Sequence, residues 1–214
     1  MIKVLLVDDH GLVRAGLKRV LEEEADMHVI GEACSGQEAV QEFNTKCPDV
    51  VVMDISMPDM DGLEAAKKLL SLHHDARILV LTMHPEEHYA VRTLKAGCLG
   101  YVTKGVSTRQ LRDAVRAVAG GRRYLSDEAK DTVMVQLLAD RPSSTPIDRL
   151  SDRELETICL LARGLKLKEV AIELGLSVRT VETYQMRARR KLGLRNKAQI
   201  TRFAYENKLI QGYD

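Results

Sequence analysis

Five short apolar runs alternate with stretches of helical spacing over roughly the first 120 residues, and no other feature restricts the fold as strongly. The runs that predict strands are Ile2–Val7, His28–Ala33, Asp49–Asp54, Arg77–Thr82 and Leu99–Thr103. Strands that alternate with helices form a parallel sheet with right-handed crossovers. The third run is continuously apolar before its final aspartate, which is typical of a strand buried on both faces. The sequence therefore predicts an α/β domain made of five βα units.

The ends of four predicted strands carry side chains suited to phosphoryl chemistry: Asp8 and Asp9, Asp54, Thr82 and Lys104. In a doubly wound sheet these strand ends converge at one edge. Three carboxylates so close together repel one another, and a hard divalent cation such as Mg²⁺ relieves that repulsion. A carboxylate that remains partly free can attack phosphorus and form an aspartyl phosphate. Each residue alone also has an ordinary structural explanation, such as Asp54 capping a turn, and only the complete set favours a site.

Composition limits the class of protein. The 214 residues are 45% hydrophobic and 29% charged, which is ordinary for a globular chain with room for two small domains. There is no run of about 18 apolar residues and the first residues lack the regions of a signal peptide, so no membrane association is expected. The four cysteines have no metal-ligand spacing and the six histidines are scattered. This pattern argues against a zinc site and favours reduced thiols in a cytoplasm.

Charge is distributed unevenly along the chain. The net charge is −4 over residues 1–121, 0 over residues 122–149 and +5 over residues 150–214. A basic C-terminal segment is compatible with nucleic-acid binding, although a solvated surface could have the same charge. Within residues 122–147, the apolar spacing of Leu125–Ala139 and a start at Ser126 predict a helix, and the prolines and hydroxyl residues after it predict a loop. We interpret this stretch as a linker.

Four helices are predicted after the linker, within residues 148–214. A capping box of Ser151 and Glu154 opens the first helix, and Gly175 ends the short second one. The third helix, Val178–Leu192, carries several basic side chains. A short helix, a glycine turn and a basic helix outline a helix-turn-helix module. The same pattern also fits a small all-α dimerisation bundle, so the residues alone leave both interpretations open.

Two groups of motifs resemble known families. The strand-end residues, with MDISMPDMDG around Asp54, ILVL before Thr82 and GYVT before Lys104, resemble the receiver domain of a two-component response regulator. Residues 148–208, with LSDRE, EVAIELGLSVRTVETY and KLG, resemble the LuxR-type four-helix DNA-binding domain. The whole chain is thus similar to NarL/FixJ-type response regulators, and its receiver is most similar to the GacA/UvrY branch.

This resemblance implies a fold and a division of the chain. The fold class is α/β followed by all-α, with a flavodoxin-like (βα)5 receiver domain and a four-helix helix-turn-helix domain. The implied boundaries are 1–121 for the receiver domain, 122–147 for the linker and 148–214 for the DNA-binding domain.

The resemblance also implies roles for the strand-end residues. Asp54 would accept the phosphoryl group, and Mg²⁺ would be bound by Asp8, Asp9, Asp54 and the main-chain carbonyl of Ser56. Lys104 would pair with the phosphate. Thr82 would act as the switch hydroxyl, and Tyr101 would be the aromatic side chain that turns inward with it.

In the family that the chain resembles, the third helix of the C-terminal domain enters the major groove. The positions that would contact base edges are Glu182, Thr183 and Met186. The positions that would contact phosphates are Lys166, Lys168, Arg179, Thr180, Tyr184, Arg187 and Arg190. Glu182 stands where some relatives carry lysine, and a glutamate in the groove accepts from cytosine N4. We therefore expect a target sequence different from that of the lysine-bearing relatives.

Together these inferences predict a transcription regulator, not an enzyme. A sensor histidine kinase would phosphorylate Asp54 in a Mg²⁺-dependent reaction, and the chain would then bind promoter double-stranded DNA as a homodimer. A rival hypothesis, a phosphatase or phosphotransfer protein, would need a histidine on a long helix beside a phosphorylatable surface, and no histidine has that setting. A pure interaction protein with a degenerate receiver is disfavoured by the intact set of Asp9, Asp54, Thr82 and Lys104.

Overall fold

The structure is a computed structural model that describes residues 1–55, 57, 62–82, 87–126, 129–130, 133, 146–207 and 209–210. The chain divides into two compact units, Met1–Arg141 and Pro142–Asp214, which are described separately here. In the described part of the chain, no helix combines the length and apolar character needed to cross a membrane.

The first unit contains a parallel sheet of six strands with the order β2-β1-β3-β4-β5-β6. The strands are β1 (Ile2–Val7), β2 (Met27–Ala33), β3 (Val50–Asp54), β4 (Ile78–Thr82), β5 (Gly100–Thr103) and β6 (Tyr124–Leu125). The helices between them are α1 (Gly11–Glu22), α2 (Gly36–Lys46), α3 (Gly62–Leu72), α4 (Glu87–Lys95) and α5 (Thr108–Ala119). The order of the first five strands is that of a flavodoxin-like fold. The predicted fold class is confirmed for this unit.

The middle of the sheet forms the core of the first unit. Every residue of β3 and of β4 is buried, as the uninterrupted apolar runs predict for strands covered on both faces. Val52 and Leu79 belong to one buried cluster with Val115 of α5. This packing fixes where β3 and β4 end along the strand direction, and therefore the positions of Asp54 and Thr82.

The sixth strand corrects the sequence-based interpretation of the linker. Tyr124 and Leu125 pair with Gly100 and Tyr101 of β5, so Leu125 lies in a strand and does not begin a helix. The predicted start at Ser126 agrees with the structure, because the carbonyl of Ser126 accepts from the backbone N–H of Lys130 at 3.1 Å, as in a helical turn. A two-residue strand is too short to show a period of two in sequence, which explains the error. Most of the rest of the predicted helix and of the following loop lies outside the described residues.

Serine caps begin two helices of the first unit. The hydroxyl of Ser35 accepts from the N–H of Glu38 at 3.2 Å, opening α2. Ser107 forms a complete capping box with Gln110 at the start of α5. These bonds satisfy backbone donors that a helix otherwise leaves unpaired, and they set the entry of each helix against the sheet.

The second unit is helical. It comprises a 3₁₀ turn (Pro146–Arg149) and the helices α6 (Asp152–Ala162), α7 (Leu167–Glu173), α8 (Val178–Leu192) and α9 (Lys197–Glu206). Ser151 and Glu154 form the predicted capping box of α6. The turn between α7 and α8 contains Gly175 with a φ of 64°, a left-handed conformation that glycine adopts without steric cost. The predicted four-helix module is confirmed.

Two exposed glycines of the first unit should respond in opposite directions to alanine substitution. A Cβ at either Gly16 or Gly121 would meet no atom within 4 Å, but only Gly121 has a positive φ, of 73°. Gly16 lies inside α1, so Gly16→Ala should raise the free energy of unfolding by about 0.5–1 kcal/mol. Gly121→Ala should lower it by about 1 kcal/mol, because an L side chain is strained there. Urea denaturation of the two variants measures both shifts, and two shifts of equal sign would contradict this reasoning.

Candidate functional site

The carboxyl ends of β1, β3 and β5 bring two carboxylates and one ammonium group together. Asp8 follows β1, Asp54 ends β3, and Lys104 follows β5. The Nζ of Lys104 donates to Oδ2 of Asp8 at 2.7 Å and to Oδ2 of Asp54 at 2.8 Å. Each carboxylate side chain is 2% exposed and the lysine side chain is 8% exposed. The residues are 96 and 50 positions apart in sequence, so the fold alone creates this contact.

The two carboxylates control the charge of Lys104. Burial by itself disfavours the ammonium form, but the charges and hydrogen bonds of Asp54 and Asp8 outweigh burial, and the pKa of Lys104 is raised. Lys104 is therefore fully protonated at neutral pH. A protonated lysine at this position can meet the negative charge of a phosphoryl group.

Thr82 lies beside this cluster at the end of β4. Its side chain is buried, and its carbonyl accepts from the backbone N–H of Lys104 at 2.7 Å, which ties the ends of β4 and β5 together. Tyr101, on the neighbouring strand β5, is only 1% exposed. The side chain of Tyr101 is thus already buried in this structure, and its role as the switch aromatic stays a prediction.

An acidic group stands at the same edge and can hold a cation. One ligand atom from each of Asp8, Asp9, His10 and Asp54 lies within 4.8 Å of the others. Oδ1 of Asp9 is buried and, among the described residues, has no hydrogen-bond partner, although Nδ1 of His10 lies 2.9 Å away. A buried carboxylate oxygen without a donor is costly unless a cation compensates for it. The residues present therefore fit a hard divalent ion. Ser56, whose carbonyl was predicted to complete the site, lies outside the described residues.

Gly62, the last residue of the MDISMPDMDG motif, lies directly against the end of β3. Its N–H donates to the carbonyl of Ile55 at 3.0 Å. A Cβ on Gly62 would stand 1.9 Å from the carbonyl oxygen of Asp54 and 2.9 Å from Cα of Ile55. Glycine is thus required because α3 begins directly against the end of β3. The glycine in the motif was the visible signal, but the close approach itself depends on tertiary structure.

The third helix of the second unit, α8, presents most of the predicted DNA contacts to solvent. Val181 and Ala188 are its buried residues. Exposed are Lys166, Lys168, Arg179, Glu182, Met186, Arg187 and Arg190, and half-buried are Thr180, Thr183 and Tyr184. Met186 is 62% exposed, so its apolar side chain is accessible to a partner surface. The helix therefore has one inward face and one outward face that is rich in cations.

Some polar side chains of α8 are already engaged within the helix or with its neighbours. The hydroxyl of Thr180 lies 2.8 Å from that of Ser177, and the hydroxyl of Thr183 donates to the carbonyl of Arg179 at 2.9 Å. Arg189 donates to the carbonyls of Leu194 and Arg195 just beyond the helix.

Lys191 connects α8 to α6. Its Nζ donates at 2.6 Å to Oε2 of Glu154, and the same oxygen accepts from the N–H of Ser151 at 2.8 Å. The side chain of Glu154 is 3% exposed. One buried carboxylate thus caps α6 and holds the C-terminal end of α8. Arg189 and Lys191 support the fold, whereas Arg187 and Arg190 remain available at the surface.

Comparisons with known proteins agree with both units. Residues 4–116 match the response regulator receiver domain, and residues 148–204 match the bacterial regulatory proteins of the luxR family. The chain is 37% identical over 209 residues to the response regulator UvrY of Escherichia coli, covering 98% of this chain and 96% of UvrY. It is 35% identical over 210 residues to the response regulator GacA of Pseudomonas syringae pv. syringae, covering 98% of each. The solved complex of the response regulator RcsB with DNA superposes with a TM-score of 0.59 at 25% identity, covering 95% of this chain and 98% of RcsB.

The resemblance inferred from the motifs is confirmed along nearly the whole chain, including its similarity to the GacA/UvrY branch. A receiver domain implies a histidine kinase as the phosphoryl donor, and a luxR-type domain implies DNA binding. The chain therefore belongs to the two-component response regulators that join a receiver domain to a luxR-type DNA-binding domain, and it is a phosphorylation-activated transcription regulator and not an enzyme.

Proposed function

We propose that Asp54 accepts the phosphoryl group and that its phosphorylation activates DNA binding. The observation that carries this proposal is the contact of Lys104 with both Asp54 and Asp8 at the buried strand ends. A carboxylate oxygen of Asp54 would attack phosphorus, while the bond from phosphorus to the histidine nitrogen of the kinase breaks and its electron pair leaves with the nitrogen. Lys104 would then balance the charge of the new phosphoryl group, and Thr82 would donate a hydrogen bond to it.

The proposed cofactor is Mg²⁺, held by Asp8, Asp9, Asp54 and the carbonyl of Ser56. When bound, the ion supplies positive charge that offsets repulsion between the carboxylates and the incoming phosphate. The chain's own contribution is to keep Asp8 oriented. Oδ1 of Asp8 accepts from the backbone N–H of His10 at 2.8 Å, and Oδ2 accepts from Lys104. Both bonds hold the carboxylate in place before any ligand arrives.

Incubation with acetyl phosphate and Mg²⁺ tests the assignment of Asp54. Intact-mass spectrometry should show one added phosphoryl group on the wild type. It should show none on Asp54→Ala, because this substitution removes the carboxylate at the end of β3 that is proposed to accept the group. Asp75→Ala, at an exposed position before β4, is the matched control and should be labelled like the wild type. Chelation of Mg²⁺ should also prevent labelling. Equal labelling of wild type and Asp54→Ala would exclude Asp54 as the acceptor.

We further propose that the outward face of α8 reads promoter DNA. Glu182, Thr183 and Met186 would meet base edges, and the surrounding residues Lys166, Lys168, Arg179, Thr180, Tyr184, Arg187 and Arg190 would meet phosphates. Support comes from the exposure of the cations and of Met186, and from the luxR-family match. The hydroxyls of Thr180 and Thr183 are already bonded within the chain, so their contribution to DNA would be by shape or by shared hydrogen bonds. A kinase-controlled regulator of this kind would work in the cytoplasm, where bacterial DNA lies.

The phosphorylated chain should occupy DNA as a homodimer. One recognition helix gives limited specificity, and two chains related by a two-fold axis would read half-sites roughly one helical turn apart. A genome-wide map of bound fragments would supply the DNA. Sedimentation of the phosphorylated protein on such a fragment should give two chains per site, and strictly one chain per site would refute the dimer.

A further inference from the structure

We propose that His10 is a nitrogen ligand of the divalent ion at the acidic group, so that this receiver favours ions that accept imidazole, such as Co²⁺, more than an all-oxygen site would. The inference rests on the proposed metal site and deepens it by assigning a metal preference. Oxygen ligands suit Mg²⁺, whereas imidazole suits the later first-row ions.

The position of the imidazole supports this role. Nδ1 of His10 lies 2.9 Å from Oδ1 of Asp9 and 3.5 Å from Oδ1 of Asp8. Two neighbouring ligands on an octahedral ion, with bonds of about 2.1 Å at a right angle, stand about 3.0 Å apart. The imidazole and Asp9 are therefore already separated by the distance that a shared ion requires.

The surrounding contacts point the same way. Lys104 engages Oδ2 of Asp8 and Oδ2 of Asp54, which directs Oδ1 of Asp8 towards His10. Oδ1 of Asp9 is buried and, in the described part of the chain, accepts no hydrogen bond. The His10 side chain is 62% exposed, so the ring has room to adjust its angle when an ion arrives. Its position directly before α1 fixes its backbone, and the side chain makes no capping bond to the helix.

A simpler explanation is that His10 only forms an ion pair with Asp9, and this makes the opposite prediction. An imidazolium in that place would compete with every divalent ion. Its removal would then tighten the binding of Mg²⁺, Mn²⁺ and Co²⁺ together. The direction of the change on removal separates a ligand from a competitor.

Isothermal titration of the unphosphorylated full chain with Mg²⁺, Mn²⁺ and Co²⁺ near neutral pH measures these affinities. For His10→Ala we expect a loss of about 10-fold or more in Co²⁺ affinity, a smaller loss for Mn²⁺ and little change for Mg²⁺. The matched control is His28→Ala, which removes another exposed histidine that lies 3.2 Å from a carboxylate, that of Glu22. Pulsed electron paramagnetic resonance of bound Mn²⁺ should show coupling to a nitrogen nucleus in the wild type and in His28→Ala, and none in His10→Ala.

Three results would overturn the inference: equal losses for all ions, tighter binding of all ions, or absence of nitrogen coupling in the wild type. Circular dichroism of each variant checks that the fold is intact. Failure of the wild type to bind Mg²⁺ at all would instead reject the proposed metal site, so the two failures are distinguishable.

Discussion

Replacement of Gly62 by alanine should abolish phosphorylation by acetyl phosphate. It should also lower the free energy of unfolding of the first unit by about 3 kcal/mol. A Cβ there would stand 1.9 Å from the carbonyl oxygen of Asp54, 2.8 Å from its carbonyl carbon and 2.9 Å from Cα of Ile55. All three atoms belong to the backbone, so no rotamer change can relieve the contact. Either α3 or the end of β3 must move, and the second movement displaces the proposed acceptor. Even a shift of about 1 Å in a reacting group can slow a reaction about 100-fold.

Gly105→Ala is the matched control for this substitution. Gly105 follows Lys104 directly, yet the nearest atom to its Cβ would be the hydroxyl oxygen of Thr103 at 4.0 Å. It should therefore keep both stability and labelling by acetyl phosphate. Thermal unfolding and intact-mass spectrometry of the two variants provide the comparison. A Gly62→Ala variant with wild-type stability and labelling would show that the end of β3 yields at little cost.

Lys104→Ala should lower the free energy of unfolding by about 3–5 kcal/mol in the absence of divalent ions. The substitution leaves Asp8 and Asp54, each 2% exposed, without the ammonium group that neutralises them. Added Mg²⁺ should stabilise this variant more than the wild type, because the ion would then supply the missing positive charge. Thermal unfolding with and without Mg²⁺ measures both effects.

The control for Lys104→Ala is Lys68→Ala, an exposed position of α3 that should be nearly neutral. An unchanged midpoint for Lys104→Ala in the absence of divalent ions would contradict the assigned role of the lysine. The pKa of Lys104 is raised in the folded state, so its contribution is fully present below the pKa of an unfolded lysine. The contribution is lost only as the pH rises through the higher folded-state pKa. Neutral and mildly alkaline conditions therefore suit the comparison.

The sequence was sufficient for the strand ends because apolar runs define strands and parallel strands end at one edge. Asp8, Asp54 and Lys104 could be placed together on that basis before any distance was known. What the pattern could not supply was the pairing itself. Lys104 bonds to two carboxylates at once, and this depends on where β1, β3 and β5 end relative to one another along the strand direction. Those relative positions follow from packing against the helices, which has no short-range sequence signal.

The interface on α8 shows the same division between pattern and packing. Helical spacing identifies a basic helix, and the family resemblance singles out Arg187 and Arg190 as phosphate contacts. Neither predicts that Arg189 and Lys191 bond to the chain itself, because those bonds depend on the location of Glu154 and of the turn after α8. Sequence reasoning also missed β6, since two residues cannot establish a period.

The contact between Lys191 and Glu154 bears on how regulators of this kind diversify. This contact attaches the last turn of α8 to α6, whereas Glu182 and Met186 are exposed on the outward face and take no part in it. Substitutions at the outward positions can therefore change which operator is preferred while leaving folding intact. After gene duplication, a copy could acquire a new set of target promoters through one or two such changes and still respond to its kinase through an unaltered receiver.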